Sequence, residues 1–320
     1  MDSSARDINA ARPTPFYSPI LVNRAARSTG SRIKVVLLNA AGGKRFLQLA
    51  ACLERPPLRG ADVVLLCEIN AKPRTADSHG AEIAIGLGEA LGMSCAYVPE
   101  FGLKPLDGEV YSYIGNAILS AAPFDDVTAV AMHRPRTPMA WPIHMRRWER
   151  VGVPTGLVTR VKLGGKDVTV GVAHLHSRCP PAERGRQMAT YLESFPTSGR
   201  AIFGGDLNTT TTELSSRAMI LATARQIIAD PQRFHSPQAY EPLFEHLRRV
   251  GLEVDGANVP NRPTFTFSGL IPRRIRPKLD WIAVRDIRPI AGTAAVVSPR
   301  SRIMMRRLSD HDFVTVELEL

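Results

Sequence analysis

Ala201-Ile202-Phe203-Gly204-Gly205-Asp206-Leu207-Asn208 sets a short apolar run directly against a polar terminus. Three apolar residues and two glycines suit a strand hidden from water, and the glycines let a neighbouring backbone come close. Asp206 and Asn208 share a face if the extended conformation continues, because side chains alternate along a strand. Taken alone, the pair reads as an Asx-rich turn leading into the run Thr209 to Thr212. The chain closes on a related arrangement, Ser309-Asp310-His311 followed by Phe313-Val314-Thr315-Val316-Glu317-Leu318, which alternates apolar with polar residues.

Working outward, further apolar runs end the same way. Residues 33–38 form a Val- and Leu-rich run that stops at Asn39, ahead of Gly42-Gly43, and residues 63–67 form another that stops at Glu68. Both read as buried strands. Phe46, Leu49, Ala50 and Leu53 recur at helical spacing, and residues 81–91 read as a helix weakened by Gly86 and Gly88. Short strands are expected at 95–98 and 116–120. A hairpin is expected over 157–161 and 168–175, around Gly164-Gly165. Helices are expected at 182–195, 214–228 and 240–250, and strands at 264–267, 279–284 and 313–318. Strands thus occur both as hairpins and separated by helices, which implies mixed sheets. The polar residues at strand ends run from Asn39 to His311. If they share one site, no division of the chain leaves a complete site on either side. Residues 1–31, rich in Ser, Pro, Ala and Arg, read as a mobile tail with 16–22 docking on the body, and residues 32–320 as one catalytic domain.

The 320 residues are 44% hydrophobic and 22% charged, as in a soluble globular protein. No apolar run approaches the roughly 20 residues that cross a bilayer, and the N-terminus lacks an apolar signal core. Cys52, Cys67, Cys95 and Cys179 are too scattered for a zinc knuckle or redox pair, so buried free thiols in a reducing cytoplasm are expected. The net charge of +11 calls for an anionic partner. The charge is clustered: Arg273, Arg274, Arg276 and Lys278 precede one candidate strand, and Arg300, Arg302, Arg306 and Arg307 precede another. Arg134, Arg136, Arg146, Arg147 and Arg150 fill a third, Pro-containing loop. These clusters are expected to rim a site for a polyanion, with Arg274 and Arg306 touching substrate.

Each polar signal is weak alone. Asn39 suits a turn, Glu68 an exposed strand end, and a single histidine in Val172-Ala173-His174-Leu175-His176 a structural role. Yet His174 and His176 fall on one face of a strand. Asp280 interrupts the apolar run around Trp281, where a buried acid needs a partner. His311 is a candidate, since an Asp–His hydrogen bond fixes the tautomer and steadies the imidazolium. Acid, amide and imidazole at strand ends are what metal-assisted phosphate hydrolysis requires: hard oxygen ligands, donors to phosphoryl oxygen, and a base for water.

In order, Leu37-Leu38-Asn39, Leu66-Cys67-Glu68, Gly115-Asn116-Ala117-Ile118-Leu119-Ser120, Ala173-His174-Leu175, Gly205-Asp206-Leu207-Asn208, Leu279-Asp280-Trp281 and Ser309-Asp310-His311 resemble the endonuclease/exonuclease/phosphatase superfamily, from about Arg32 to Leu320. The resemblance implies a four-layer α/β sandwich of two mixed β-sheets flanked by helices. It also implies Mg²⁺- or Mn²⁺-dependent hydrolysis of phosphate esters. By matching position, Glu68 would be the principal metal ligand, with Asn39 and Asp310 completing the metal neighbourhood. Asp206 would orient or deprotonate water, Asn208 would hold a phosphoryl oxygen, and Asp280 with His311 would face the scissile phosphate. Asn116 would contact substrate. His174 would donate to the developing charge, although His176-Ser177 resembles the nuclease form of the same element. Cys67 stands where many relatives have Gln. Ala41 stands where apurinic-site endonucleases have Asp, which moves the chain away from that branch. The implied substrate is an anionic phosphate ester, nucleic acid among the candidates, and the implied enzyme a phosphodiesterase or nuclease. A phosphatase acting on a small metabolite or lipid headgroup is the alternative enzyme. A phosphate-binding module without catalysis is the alternative from another class.

Overall fold

A computed structural model of the chain describes residues 14–24, 30–72, 80–135, 148–213, 222, 225–226, 229–230, 232–266, 276–301 and 306–320. The larger sheet holds β1 (Ile20–Val22), β2 (Arg32–Gly42), β3 (Val63–Ala71), β4 (Ser94–Pro105), β5 (Ser112–Ser120), β7 (Trp148–Val151), β12 (Arg288–Pro289), β13 (Ala295–Val297) and β14 (Phe313–Glu319). Its order is β1-β4-β5-β3-β2-β14-β12, with β7 added to β4 and β13 to β14. The smaller sheet is ordered β11-β10-β9-β8-β6, from Asp280–Arg285, Ala201–Asp206, Lys166–Val172, Thr155–Leu163 and Phe124–Ala131. Each sheet has one parallel pair, β2 with β3 and β9 with β10. A parallel pair cannot be closed by a tight turn and needs a crossover. Helix α1 (Phe46–Leu53) lies in the first crossover and α3 (Pro181–Leu192) in the second, while α2 (Glu82–Leu91) connects β3 to β4.

Alternation along the strands builds the layers. Ile33, Val35 and Leu37 of β2 point inward with Val63 and Leu65 of β3, and meet Val168, Val170, Ile202 and Ile282 of the smaller sheet. Val36, Leu38, Val64 and Leu66 point the other way, onto Leu49 and Leu53 of α1 and Ala84 and Leu87 of α2. On the far side, Phe203 and Trp281 pack beneath Met188 and Tyr191 of α3 and Leu243 and Leu247 of α4 (Leu243–Arg249). The order helix, sheet, sheet, helix is the four-layer α/β sandwich expected.

The structure refines several boundaries. The hairpin over β8 and β9 turns at Gly164-Gly165, both with positive φ. Of the strand expected at 264–267, the described residues 264–266 hold an isolated bridge between Phe265 and His311, and 267 lies outside the described residues. Most of the helix expected at 214–228 lies outside the described residues. Ile20–Val22 pairs with Cys95–Tyr97 at the edge of the larger sheet. Strand β6 has no counterpart among the expected elements.

Candidate active site

The inward rows of four strands turn polar at the same end of the sandwich. Val35 and Leu37 are followed by Asn39, Ile202 and Gly204 by Asp206, Val284 and Ile282 by Asp280, and Val170 and Val172 by His174. Asp206 and Asp280 face each other in the β10–β11 register. On β3 the inward row ends in Cys67, whose Sγ faces Ala173 O across the sandwich at 3.7 Å. Close approach fixes one residue type here, since a Cβ on Gly205 would lie 1.8 Å from Ala173 O.

Irregular backbone then aims the groups that alternation alone would misplace. The β2–β3 register shifts between Asn39 and Gly42, β3–β5 between Leu66 and Ile69, and β4–β5 between Pro99 and Phe101. Bulges of this kind re-aim side chains. Ala41, Glu68 and Asn208 adopt φ of 47°, 53° and 48°, a left-handed conformation that costs a non-glycine residue on the order of 1 kcal/mol or more. The strain is confined to a few turns of chain, and three of its members stand at this one edge.

Asp206 is the hub. Its Oδ2 accepts from Asn39 Nδ2 at 2.8 Å, and its Oδ1 accepts from the Asn208 backbone N–H at 3.0 Å. The same Oδ2 lies 3.6 Å from His311 Nε2 and 3.8 Å from His174 Nε2. Each imidazole is held from behind by a second acid: His311 Nδ1 by Asp280 Oδ2 at 2.8 Å, and His174 Nδ1 by Glu100 Oε2 at 3.1 Å. Glu68 Oε1 is 3.6 Å from His174 Nε2, on the more open side. The Ser309 hydroxyl donates to Asn39 O at 2.6 Å and accepts the His311 N–H at 3.0 Å, tying the last loop to β2. Phe265 stacks edge-on against the His311 ring at 4.8 Å.

The charges are mutually tuned. Burial pushes the Asp206 carboxyl up, partly offset by His311 and pushed further by Asp280, to about 6. Burial pulls both imidazoles down, but the carboxylates outweigh it: Glu100, Glu68 and Asp206 hold His174 at about 10, and Asp280 with Asp206 holds His311 there as well. Both rings are therefore imidazolium cations flanking one carboxylate. His176 differs. Burial and the positive charges of Arg150, His174, Arg184 and Arg178 push it down to about 4. Its Nδ1 accepts the Arg178 N–H at 3.1 Å, so the neutral ring carries its proton on Nε2. Two histidines on one expected face thus occupy opposite electrostatic settings.

Other expected site residues fall differently. Among the described residues, the carboxylate and imidazole groups clustered closely enough to share a metal are Glu68, His174 and Asp206, and Asp206, Asp280 and His311. Asp310 is exposed and belongs to neither group. The Asn208 amide donates to Leu175 O at 2.7 Å. Asn116 is fully buried and donates to Thr155 O across the two sheets, bracing the sandwich. Several of the clustered cations turn inward. Lys278 is buried over the Trp281 ring, Arg150 stacks on Phe101, and Arg307 clamps Ser298 Oγ, Ser309 O, His311 O and Asp312. Local spacing does not reveal that these cations serve the interior. Arg306 and Arg134 are exposed, while Arg274, with Arg136, Arg146, Arg147, Arg273 and Arg302, lies outside the described residues. Glu100 escaped the sequence reading. Its signal is Pro99, which cannot donate to a ladder and marks the bulge beside it.

A buried ion pair supports the loops behind the site. Arg184 of α3 meets Glu241 through Nη2 at 2.5 Å and Nε at 3.1 Å, and donates through Nη1 to Cys179 O. Glu241 Oε1 also accepts the Thr211 N–H at 2.8 Å. The segments following His176 and Asn208 are thereby tied to one pair, which both partners' burial makes costly to break.

The sequence profile of the Endonuclease/Exonuclease/phosphatase family matches residues 36–311. No curated protein matches the chain. Solved structures of similar fold include an endonuclease/exonuclease/phosphatase from Beutenbergia cavernae DSM 12333, at 19% identity and TM-score 0.55 over 90% of this chain and 72% of that one. D. rerio TDP2 complexed with single strand DNA product is 16% identical, with TM-score 0.52 over 91% and 100% of the two chains. An AP endonuclease from Archaeoglobus fulgidus is 14% identical, with TM-score 0.54 over 89% and 98%. At these identities the likeness is one of fold.

Proposed function

The chain belongs to the endonuclease/exonuclease/phosphatase family, and from that premise we propose that it is a divalent-metal-dependent phosphodiesterase that hydrolyses a polyanionic substrate by in-line attack of water. The observation that carries this reading is the setting of Asp206 Oδ2, within 3.8 Å of the Nε2 atoms of two imidazoles that are each anchored by a further acid. Binding a phosphate would be served by the imidazolium cations alone. A buried carboxylate between them adds a base, and its value near 6 suits proton transfer close to neutral pH.

The donor set fits a hard cation. Glu68 presents a partly open carboxylate at the mouth, and Asp280 Oδ1 is buried with no hydrogen-bond partner among the described residues. Glu68 would be the ligand, with Asn39 and Asp310 in its neighbourhood; the Ser309 bond to Asn39 O ties the loops that carry those two. Bound there, Mg²⁺ or Mn²⁺ supplies Lewis-acid polarisation of a phosphoryl oxygen and charge neutralisation. Asp206 orients the attacking water and accepts its proton. His311, steadied by Asp280, donates to a phosphoryl oxygen. Asn208 contributes the amide N–H that Leu175 O does not use. His174, steadied by Glu100, donates to the charge that develops as the ester oxygen leaves, and that oxygen departs with a proton. His176, neutral with an Nε2–H, is placed for substrate contact.

The +11 charge favours a polyanion over a compact monoester. Four free, buried cysteines suit the reducing cytoplasm, and no helix among the described residues is long and apolar enough to cross a membrane. The test is release of p-nitrophenol from bis(p-nitrophenyl) phosphate and from p-nitrophenyl phosphate, each with Mg²⁺ and with Mn²⁺, by wild type and Asp206→Asn. Metal-dependent hydrolysis of the diester, lost in the variant, is expected. Hydrolysis of the monoester alone, or of neither, overturns the reading.

A further inference from the structure

Beside the Asp206 cluster lies a cavity of about 450 Å³, within the usual range for small-ligand sites. It touches the reaction centre through Ala41, two residues beyond Asn39, and through Ser309 and Asp310, which lead into His311. Its cations are Lys44, Arg45, Arg306 and Arg307. We propose that this cavity is a second anion subsite: it holds a phosphate group carried on the same substrate molecule as the phosphate that is cleaved. The proposal rests on the phosphodiesterase reading and names what else that substrate carries.

Three observations converge. First, Lys44, Arg45 and Arg306 make no ion pair among the described residues, whereas Arg307 on the same wall is committed to Asp312 and to backbone carbonyls. Paired surface cations are common on this protein: Arg24, Arg32, Lys104, Arg249 and Arg288 all hold acids. Here three unpaired cations share one concave wall. Second, the wall has a single carboxylate, Asp310, which belongs to the loop leading into His311, so the lining remains cationic. Third, α1 starts at this wall. Its N-cap is Arg45, no side chain caps it, and no acid occupies its first turn. The N–H groups of that turn and the positive helix end add to the field felt by an anion. Arginine and lysine here offer both fork and point-charge recognition of phosphate oxygens.

One phosphate chemistry has two sources, the next phosphate of a polynucleotide or a second phosphate on a small molecule or lipid headgroup. The experiment is calorimetric titration of the full-length Asp206→Asn protein, which does not turn over, with two pairs of ligands in Mg²⁺. One pair is thymidylyl-thymidine with and without a 5′-phosphate; the other is inositol 1-phosphate and inositol 1,4-bisphosphate. In one pair the doubly phosphorylated member should bind at least tenfold more tightly, and that pair identifies the source. Adding Lys44→Glu or Arg306→Glu should reduce the preference severalfold, and Lys44→Arg should retain it. Equal affinities within both pairs, or a preference untouched by both reversals, would overturn the subsite. Hydrolysis of bis(p-nitrophenyl) phosphate by the wild type separates the two readings. An active wild type without the preference removes the subsite alone. An inactive wild type that keeps the preference removes the reaction and leaves the subsite.

Discussion

Replacing Lys278 with methionine tests how the interior tolerates a charge that sequence spacing had placed on the rim. Lys278 is only 3% exposed, its Nζ sits 3.9 Å from the Trp281 ring centroid, and it donates to Val259 O at 2.9 Å. Burial pulls the amine down from 10.5 to about 7, with Asp255 opposing weakly. Each pH unit between folded and unfolded values corresponds to about 1.4 kcal/mol, so carrying the charge inside below pH 7 costs on the order of 5 kcal/mol. Between 7 and 10.5 the unfolded chain holds this proton and the folded chain does not. Wild-type stability therefore rises with pH across that window, and the gain is lost as pH falls back through 7. Methionine keeps the length and the contact with Trp281 but forfeits the bond to Val259 O, a pH-independent loss of about 1 kcal/mol. Lys278→Met should then exceed wild type by on the order of 3 kcal/mol at pH 7, where the folded amine is half deprotonated, and by almost nothing at pH 10. Urea unfolding followed by far-ultraviolet circular dichroism at pH 7, 8, 9 and 10 measures the difference. A gap that stays flat over those values would show that the amine remains charged over Trp281, and the argument from burial would be wrong.

Glu68→Ala should lose at least tenfold in Mn²⁺ affinity by calorimetry while keeping its circular dichroism spectrum; unchanged affinity would remove Glu68 as the metal ligand. Asp206→Asn and His311→Ala should each lower kcat by orders of magnitude with little change in substrate affinity. Their double mutant should lose far less than the product of the two effects, and full independence would count against a shared transition state. Cys67, fully buried with its thiol pushed well above the ordinary value by burial, should resist alkylation in the native protein. Rapid labelling that metal prevents would place it on the wrong face of β3.

Much of this architecture was legible because strand cores are long apolar runs. The rows through Val35, Val63, Ile202 and Ile282 announce themselves, and the polar residue that closes each run marks the site. What stayed hidden has physical causes. Strand β6 carries Asp125 and Asp126 on a sheet edge, where exposure replaces the apolar signal. Glu100 lies beyond Pro99, where a proline looks like a strand end but here makes a bulge. The fates of Lys278, Arg307 and Asn116 depend on what lies opposite in the fold, which residue type and spacing do not encode. His174 and His176 share a face in sequence, yet only the former meets Glu100 from β4.

The cluster draws its members from both sheets: Asn39, Glu68 and Glu100 from one, His174, Asp206 and Asp280 from the other, with Asn39–Asp206 a direct bond between them. Between the sheets lies a dry layer of methyl and methylene groups with no directional preference of its own. Lateral slippage of that layer is resisted by shape alone, apart from cross-links such as Asn116 to Thr155. The cluster thus works as a vernier for the alignment of the two halves. A displacement of about 1 Å is enough to cost catalysis around a hundredfold, while both sheets keep every ladder bond. Enlarging or trimming a residue such as Leu65 or Ile202, well away from the chemistry, should therefore darken the enzyme before it melts it.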